Sequence, residues 1–347
     1  KGVDLRFNSK VESYQNGFVT LQDGTQIPAD FLLLAIGVTP DNALAKSAGL
    51  ALNEKGGIVV DKHMQTSNPN IYAVGDAVEV KDFVLGAGVQ KPLAGPANKQ
   101  GRIVADNICG IASKFEGTQG TAIVKVFGIS AAVTGVNEKV LRTTDIPYHA
   151  VWLHPATHAS YYPGSNQFAL KVIFHKETGA LLGAQAVGTE GVDKRIDVLA
   201  TALRAKLTIR DLQELELCYA PPFSSAKDPV NFVGFVGANI LDGYDPQIAW
   251  DELAQIDPEK ELILDVRTRG EFEAGHITGA KLMPVDDLRD ILSDLPEDKT
   301  APIHLYCRVG IRGYIAARIL RQNGYTNIHN LSGGWLTWEN AVKAKKG

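Results

Sequence analysis

The sequence predicts a multidomain protein that joins α/β and α+β architecture, and three observations carry this. Continuous apolar runs at Phe31–Ile36, before Gly37, and at Ile71–Ala77, which holds Gly75-Asp76, predict buried strands of a parallel sheet. From about Thr121 the pattern changes to β-branched strands with a hairpin turn at Glu177–Gly179, which predicts an antiparallel sheet with helices on one side. Beyond the turn-rich stretch Asp242–Gln247, strands and helices alternate again, as in a compact α/β domain. A chain of 347 residues exceeds one ordinary core.

Taken in order, Phe18–Gly24 alternates like a strand and meets a turn at Asp23-Gly24. Residues Ile58–Val60 make a short strand. Pro92–Gly110 reads as a helix, with small residues Ala94, Gly95 and Ala97 followed by Ile103, Val104 and Ile108 at helical spacing. Val192–Ile209 reads as an amphipathic helix with Lys194, Arg195 and Arg204 on its solvated face. A later helix carries Gly234 and Gly237, which allow close packing. "ELILDVR" and "APIHLYC" are buried strands, and Arg312–Asn323 is a helix. The opening residues read as the middle of a domain, so the chain is expected to be the C-terminal part of a longer protein.

Net charge is −4 with no basic stripe, which argues against a nucleic-acid partner. No apolar run is long enough to span a membrane. Cys109, Cys218 and Cys307 are few, odd in number and far apart, which argues against a disulfide framework and for a reducing, cytoplasmic location. They lack metal-ligand spacing. His154 and His158 are four apart, but Pro155 puts them in a loop without a third ligand, so they read as structural and no metal is expected.

Cys307 stands apart because it falls between a strand and a helix. There the amides of Arg308, Val309, Gly310, Ile311 and Arg312, the helix N-terminus and two arginines favour a thiolate. Cys109 and Cys218 read as packed structural cysteines. The spacing Cys307 to Arg312 is C-x4-R, one residue shorter than loops that hold a tetrahedral phosphate anion, and it suits a single sulfur carried as a persulfide.

"LDVRTRGEFEAGHITGAKLMP", "YCRVGIRG" and "LSGGWLTW" together resemble a single-domain rhodanese, a sulfurtransferase, over about Pro246 to Lys345. The resemblance implies that Cys307 carries sulfane sulfur and that the loop to Arg312 cradles it. It places Asp265 and Arg267 in the motif that supports the loop and meets substrate, with Glu271 and His276 structural. "LLLAIGVTPDN" and "IYAVGDAVE" resemble the second half of the FAD domain of pyridine nucleotide–disulfide oxidoreductases. That resemblance implies FAD and NAD(P)H as cofactors. Gly75 would allow close approach, Asp76 would bind a ribityl hydroxyl, and the amides near Leu93, Ala94, Gly95 and Ala97 would face the flavin edge. The sequence has no G-x-G-x-x-G opening a βαβ unit.

Residues about 118–240 resemble the dimerisation domain of the same family, so a homodimer is implied. Members fused to a rhodanese domain are coenzyme A disulfide and persulfide reductases. By that resemblance Tyr161 and Tyr219, with Tyr162, line the partner's active site over the coenzyme A sulfur. The implied layout is 1–34 for the end of the NAD(P)H domain, 35–117 for the FAD domain and 118–241 for the dimerisation domain, then 242–248 for a linker and 249–347 for the rhodanese domain. The implied activity is FAD-dependent reduction of a small thiol persulfide or disulfide by NAD(P)H, with coenzyme A as substrate or bound ligand. The rivals are an NADH oxidase or peroxidase of the same fold and a non-reductive sulfur carrier or sensor. A cysteine phosphatase is a third, disfavoured by the short loop.

Overall fold

The computed structural model describes residues 2–346, so Lys1 and Gly347, at the ends of the expected outer domains, lie outside the described residues. Its strands form four sheets. The first is a small antiparallel sheet of β1 (Val11–Gln15), β2 (Phe18–Leu21) and β3 (Gln26–Pro28). Asn16 and Gly17, both at positive φ (50° and 76°), make the tight turn that matches strand twist. The apolar run after it corrects the expectation of a buried strand. Phe31 is 78% exposed, Ile36 is 91% exposed, and neither joins a sheet. Apolar character signals a tendency to be buried, but a central strand needs neighbours on both edges, and the described residues supply none.

After the short helix α1 (Ala43–Ser47), β4 (Ile58–Val59), β5 (Val78–Lys81) and β6 (Gly88–Val89) form a second sheet. Ile71–Ala77 is likewise not the expected buried strand. It makes one bridge, Tyr72 to Gln65, then a single 3-10 turn over Gly75–Ala77. Helix α2 (Ala94–Ile108) packs against that turn, and Gln100 accepts a hydrogen bond from the Gly75 N–H at 2.8 Å.

The middle sheet is antiparallel. It runs in the order β7 (Ala122–Val126), β8 (Ile129–Gly135), β11 (Leu181–Gly188), β10 (Ala169–His175) and β9 (Tyr148–Leu153). The short helix α3 (Glu138–Leu141) is capped by the Asn137 side chain. Helices α4 (Val192–Arg204) and α5 (Pro229–Leu241) close the core over Val172, Phe174, Ile196, Leu199 and Val233. Gly234 and Gly237 do allow close packing, because a Cβ on Gly237 would collide with Ile209 and one on Gly234 would sit 2.8 Å from the Gln213 nitrogen.

Arg195 is the main correction in this region. Expected on the solvated face of α4, it is 1% exposed. It occupies the buried stripe with Val192, Ile196 and Leu199, so helical period, not charge, sets its direction. Its guanidinium donates to Asp228 Oδ2 (3.1 Å), Ser224 Oγ (3.1 Å) and the Thr157 carbonyl (3.0 Å). Asp228 also caps α5 through the Val230 N–H. Arg204 stays exposed, with its guanidinium over the Phe83 ring.

The last sheet is all parallel, in the order β12 (Gln247–Ile248), β16 (Ile328–Leu331), β15 (Ile303–Tyr306), β13 (Leu262–Asp265) and β14 (Lys281–Leu282). Helices α6 (Trp250–Leu253), α7 (Arg269–Glu273), α8 (Ile311–Gln322) and α9 (Gly334–Lys346) accompany it, with separate apolar clusters around Leu305 and around Tyr306. Since β12 pairs with β16, this sheet begins inside the stretch expected to be a linker. Removing one partner of a buried ion pair strands the other charge. An Asp228→Ala variant is therefore expected to lose about 3–5 kcal/mol in urea unfolding, and Arg195→Met with Asp228→Leu together is expected to lose less.

Candidate functional site

Cys307 lies at the carboxyl end of β15 and is fully buried. Gly310, at φ +111°, donates its N–H to the Cys307 Sγ at 3.1 Å and opens α8. The loop's carbonyls are engaged elsewhere. The first turn of α9 donates from the Trp335 N–H to the Cys307 carbonyl (2.8 Å) and from the Leu336 N–H to the Arg308 carbonyl (3.1 Å). Gly334, at φ +60°, permits this approach, because a Cβ there would stand 2.5 Å from the Cys307 carbonyl oxygen and 2.9 Å from the Val309 nitrogen.

The two arginines of the loop differ. Arg308 is exposed. Arg312 makes paired hydrogen bonds, both 2.7 Å, to Glu271. Those bonds raise its pKa first, and the nearby Cys307 thiol adds to the rise. Glu271 also closes a capping box with Thr268, so α7 presents it already oriented. Val309 is half-buried and Ile311 exposed.

Asp265 and Arg267 are buried and consume each other's charge through bonds of 2.6–3.0 Å. The Arg267 guanidinium also lies over the Trp335 ring (4.8 Å) and the Tyr306 ring (5.3 Å). With no open surface, this pair braces strand β13 against α9 and offers no group to an incoming ligand. His276 stacks on Phe272 at 3.8 Å.

The middle region packs against the elements around this loop. The Trp152 N–H donates to Ser332 Oγ (3.0 Å), His154 Nε2 meets Thr337 Oγ1 (2.8 Å), and Arg142 pairs with Asp251 (2.7 Å). Between α5 and the Cys307 loop lies a cavity of about 330 Å³, lined by Trp152, Phe232, Phe235, Gly310 and Tyr314 among others, with Lys227 present. Thus His154 is structural, as expected, and its role is to join two sheets. His158 bonds to Thr157 and to the Pro163 carbonyl.

Two other groups of expected site residues also come together. The Tyr161 and Tyr219 hydroxyls lie 3.3 Å apart although 58 residues separate them, and the side chains are 75% and 48% exposed. The hydrogen bond to Tyr161 raises the Tyr219 pKa. Tyr162, also exposed, packs edge-on against His158. At the other end of the chain, Asp76 is an exposed carboxylate beside Gly75, and Gln100 ties that turn to α2. No side chain caps α2, whose first residues Ala94 and Gly95 are exposed, with Leu93 and Ala97 half-buried. A free carboxylate beside an uncapped helix N-terminus fits a flavin's polyol and its electron-rich edge. Cys109 and Cys218 are exposed, which corrects the expectation of packed structural thiols: Cys109 ends α2 and Cys218 lies in a segment without regular structure. The described residues contain no cluster able to hold a metal ion and no helix long and apolar enough to cross a membrane.

Comparison with known proteins places these features in families. Residues 1–101 match the pyridine nucleotide-disulphide oxidoreductase profile, 121–229 its dimerisation domain and 246–341 the rhodanese-like domain. The chain belongs to the pyridine nucleotide-disulphide oxidoreductases and carries a rhodanese-like domain. It is 38% identical to a coenzyme A disulfide reductase of Staphylococcus haemolyticus over 234 residues, 67% of this chain and 53% of that protein. The structure resembles reduced Bacillus anthracis CoADR-RHD with a TM-score of 0.93 and 46% identity, covering 97% of this chain and 60% of that one. It also resembles a NAD-dependent persulfide reductase from A. fulgidus, with a TM-score of 0.84 and 37% identity over 97% of this chain and 61% of that one. The chain thus spans about half the length of the curated relatives it matches.

Gln100 carried no signal in the sequence, and Ser332 was legible only as part of a motif. The Gly333-Gly334 pair was legible in "LSGGW" as a motif, but its contact with the Cys307 carbonyl was not.

Two pH dependences follow. Arg312 first, then Thr268, holds the Glu271 carboxyl down at about 2, against an ordinary value of 4.5. The pair's stabilisation is therefore complete above pH 4.5 and fades as pH falls toward about 2. Glu271→Gln is expected to be less stable than wild type at pH 7 in urea, and the gap is expected to close across that window. Burial first, then Arg308, lowers the His154 pKa from 6.5 to about 4. This neutral contact is fully present above pH 6.5 and weakens down to about 4. In thermal unfolding, wild type is expected to lose ground to His154→Gln as pH drops from 7 to 5.

Proposed function

We propose that this chain belongs to an FAD-dependent NAD(P)H reductase of coenzyme A disulfide or persulfide substrates, polysulfide included, with a rhodanese sulfurtransferase site at Cys307. The observation that carries the reading is the Cys307 loop: a buried sulfur that accepts an amide N–H, in a loop whose first two carbonyls are held by another helix. An amide N–H aimed at the sulfur is a donor that can hold negative charge on a persulfide. The Gly310 N–H holds the negative sulfur. Arg312, fixed by Glu271, adds positive charge beside it.

The flavin, when bound, supplies a two-electron relay between the nicotinamide and the substrate sulfur. Toward it Asp76 accepts a ribityl hydroxyl, Gly75 permits close approach, and the amides at Leu93–Gly95 and Ala97 favour negative charge. Tyr161 and Tyr219, with Tyr162 beside them, present phenols that hydrogen-bond a leaving thiolate and return a proton to it. Their exposure fits a role across a homodimer interface, as does the match to a dimerisation domain. Coenzyme A disulfide or persulfide as substrate is supported by the named relatives. Three free cysteines fit a reducing, cytoplasmic location. The domain boundaries of this reading are 1–34, 35–117, 118–241 and 249–347, with 242–248 between the last two.

The test follows NADH oxidation and sulfide release by the complete protein, wild type beside Cys307→Ser, with coenzyme A persulfide, coenzyme A disulfide and polysulfide. Cys307→Ser is expected to lose polysulfide turnover and to keep coenzyme A persulfide turnover. Equally fast NADH consumption with oxygen alone, and no sulfide, would replace the reductase with an oxidase.

A further inference from the structure

We propose that Asp245 is a positioning residue for Cys307, acting through Asn330 and Gly310 from the turn that joins the middle region to the last sheet. The proposal rests on the reading of Cys307 as a sulfur-carrying nucleophile. Asp245 is 3% exposed. Its Oδ1 accepts from Asn330 Nδ2 at 3.2 Å, and the same Nδ2 donates to the Gly310 carbonyl at 3.1 Å. Gly310 in turn gives its N–H to the Cys307 Sγ at 3.1 Å. Three links therefore lead from the Asp245 carboxylate to the reacting sulfur.

The chemistry of the middle link makes Asp245 necessary. A primary amide has two N–H donors, and Asn330 uses them on two acceptors, a carboxylate and a carbonyl. Flipping the amide would turn its oxygen toward both acceptors. Asp245 thus fixes which way Asn330 points. The Asn330 Oδ1 is buried without a partner, and Gly313 has no Cβ because one would collide with it. The Asn330 backbone N–H is also held, by the Pro246 carbonyl at 2.9 Å. Without the carboxylate the amide is free to rotate, and of its two donors the Gly310 carbonyl keeps only the Tyr314 N–H at 2.9 Å, so the peptide on either side of Gly310 is less firmly held. The N–H on Sγ moves with it.

Asp245 need only accept. Gln247 Nε2 donates to its Oδ2 at 3.0 Å, and the Gln247 Oε1 is unpartnered. An asparagine at 245 therefore keeps an acceptor for Asn330, because Gln247 can turn over to receive the new amide.

The test uses the full chain, with thiosulfate as donor and cyanide as acceptor. The Cys307 thiolate bonds to the outer sulfur of thiosulfate, the thiosulfate S–S bond breaks, and sulfite leaves with its electron pair. Cyanide then takes that sulfur as thiocyanate and the thiolate returns. Asp245→Leu and Asn330→Leu are each expected to lower kcat about tenfold with KM for thiosulfate within about twofold, as loss of one hydrogen bond to a charged sulfur implies. Both are expected to slow Cys307 alkylation by iodoacetamide at pH 7 in the same proportion. Asp245→Asn is expected to stay within about threefold of wild type. Arg142→Gln, which cuts the ion pair to Asp251 and touches no part of the loop, is expected to change neither rate.

Wild-type rates in both leucine variants would overturn the proposal. So would a loss in Arg142→Gln as large as theirs, since docking alone would then be the cause, or a tenfold loss in Asp245→Asn. Asn330→Leu cuts the chain at a second point should Asp245→Leu fail to fold. If wild type transfers no sulfur, or Cys307→Ser transfers it as fast, the sulfurtransferase reading fails, and alkylation rates still decide the positioning.

Discussion

A single contact organises the last domain: the Gly310 N–H must meet the Cys307 sulfur at the turn of the loop. Peptide units carry a carbonyl opposite each N–H, so the carbonyls need partners elsewhere. Helix α9 provides them with the N–H groups of its first turn, which have no partner within the helix. Two loop carbonyls, of Cys307 and Arg308, and two amides of the helix satisfy each other. The close approach excludes any side chain at 334, which is why the helix begins with glycine. Trp335 then stacks on Arg267, and Arg267 is neutralised by Asp265 on the neighbouring strand. The strand order, the buried ion pair and the glycine pair all serve one peptide geometry.

The middle region uses charge differently. Arg195 lies in the core with Asp228 and Ser224, and that carboxylate also caps α5. One buried anion thus joins α4, the start of α5 and the segment from Tyr219 to Asp228. The same segment carries one of the two paired tyrosines, so a structural ion pair bounds the stretch that presents Tyr219 beside Tyr161. The far side of α5 faces the Cys307 loop across the seam cavity.

Much of the layout of the candidate site was legible because it is local. Cysteine after a strand, glycine before a helix and arginine five residues on depend only on spacing. The Gly-Asp turn and the small-residue helix were legible for the same reason. What the sequence concealed were partners. Phe31–Ile36 announces apolarity, yet among the described residues no strand flanks it and it stays exposed, while Ile71–Ala77 makes one bridge and is mostly half-buried. Arg195 announces charge, yet its place in the helical stripe turns it inward. Glu271 with Arg312, Asp245 with Asn330 and Gln100 with Gly75 are pairs separated by 41, 85 and 25 residues, and neither member signals the other in sequence.

The seam cavity has a thermodynamic consequence. Its walls come from both sides: Trp152, Phe232 and Phe235 from the middle region, and Val309, Gly310, Ile311 and Tyr314 from the sulfur loop. A molecule that fills it touches both walls only while the two are docked. Occupancy and docking are then linked functions, and each ligand bound adds RT ln(1 + [L]/Kd) to the stability of the docked state. By reciprocity, whatever loosens the seam lowers affinity for the ligand by the same factor. Any occupant of the seam and the joint between the domains thus share one equilibrium.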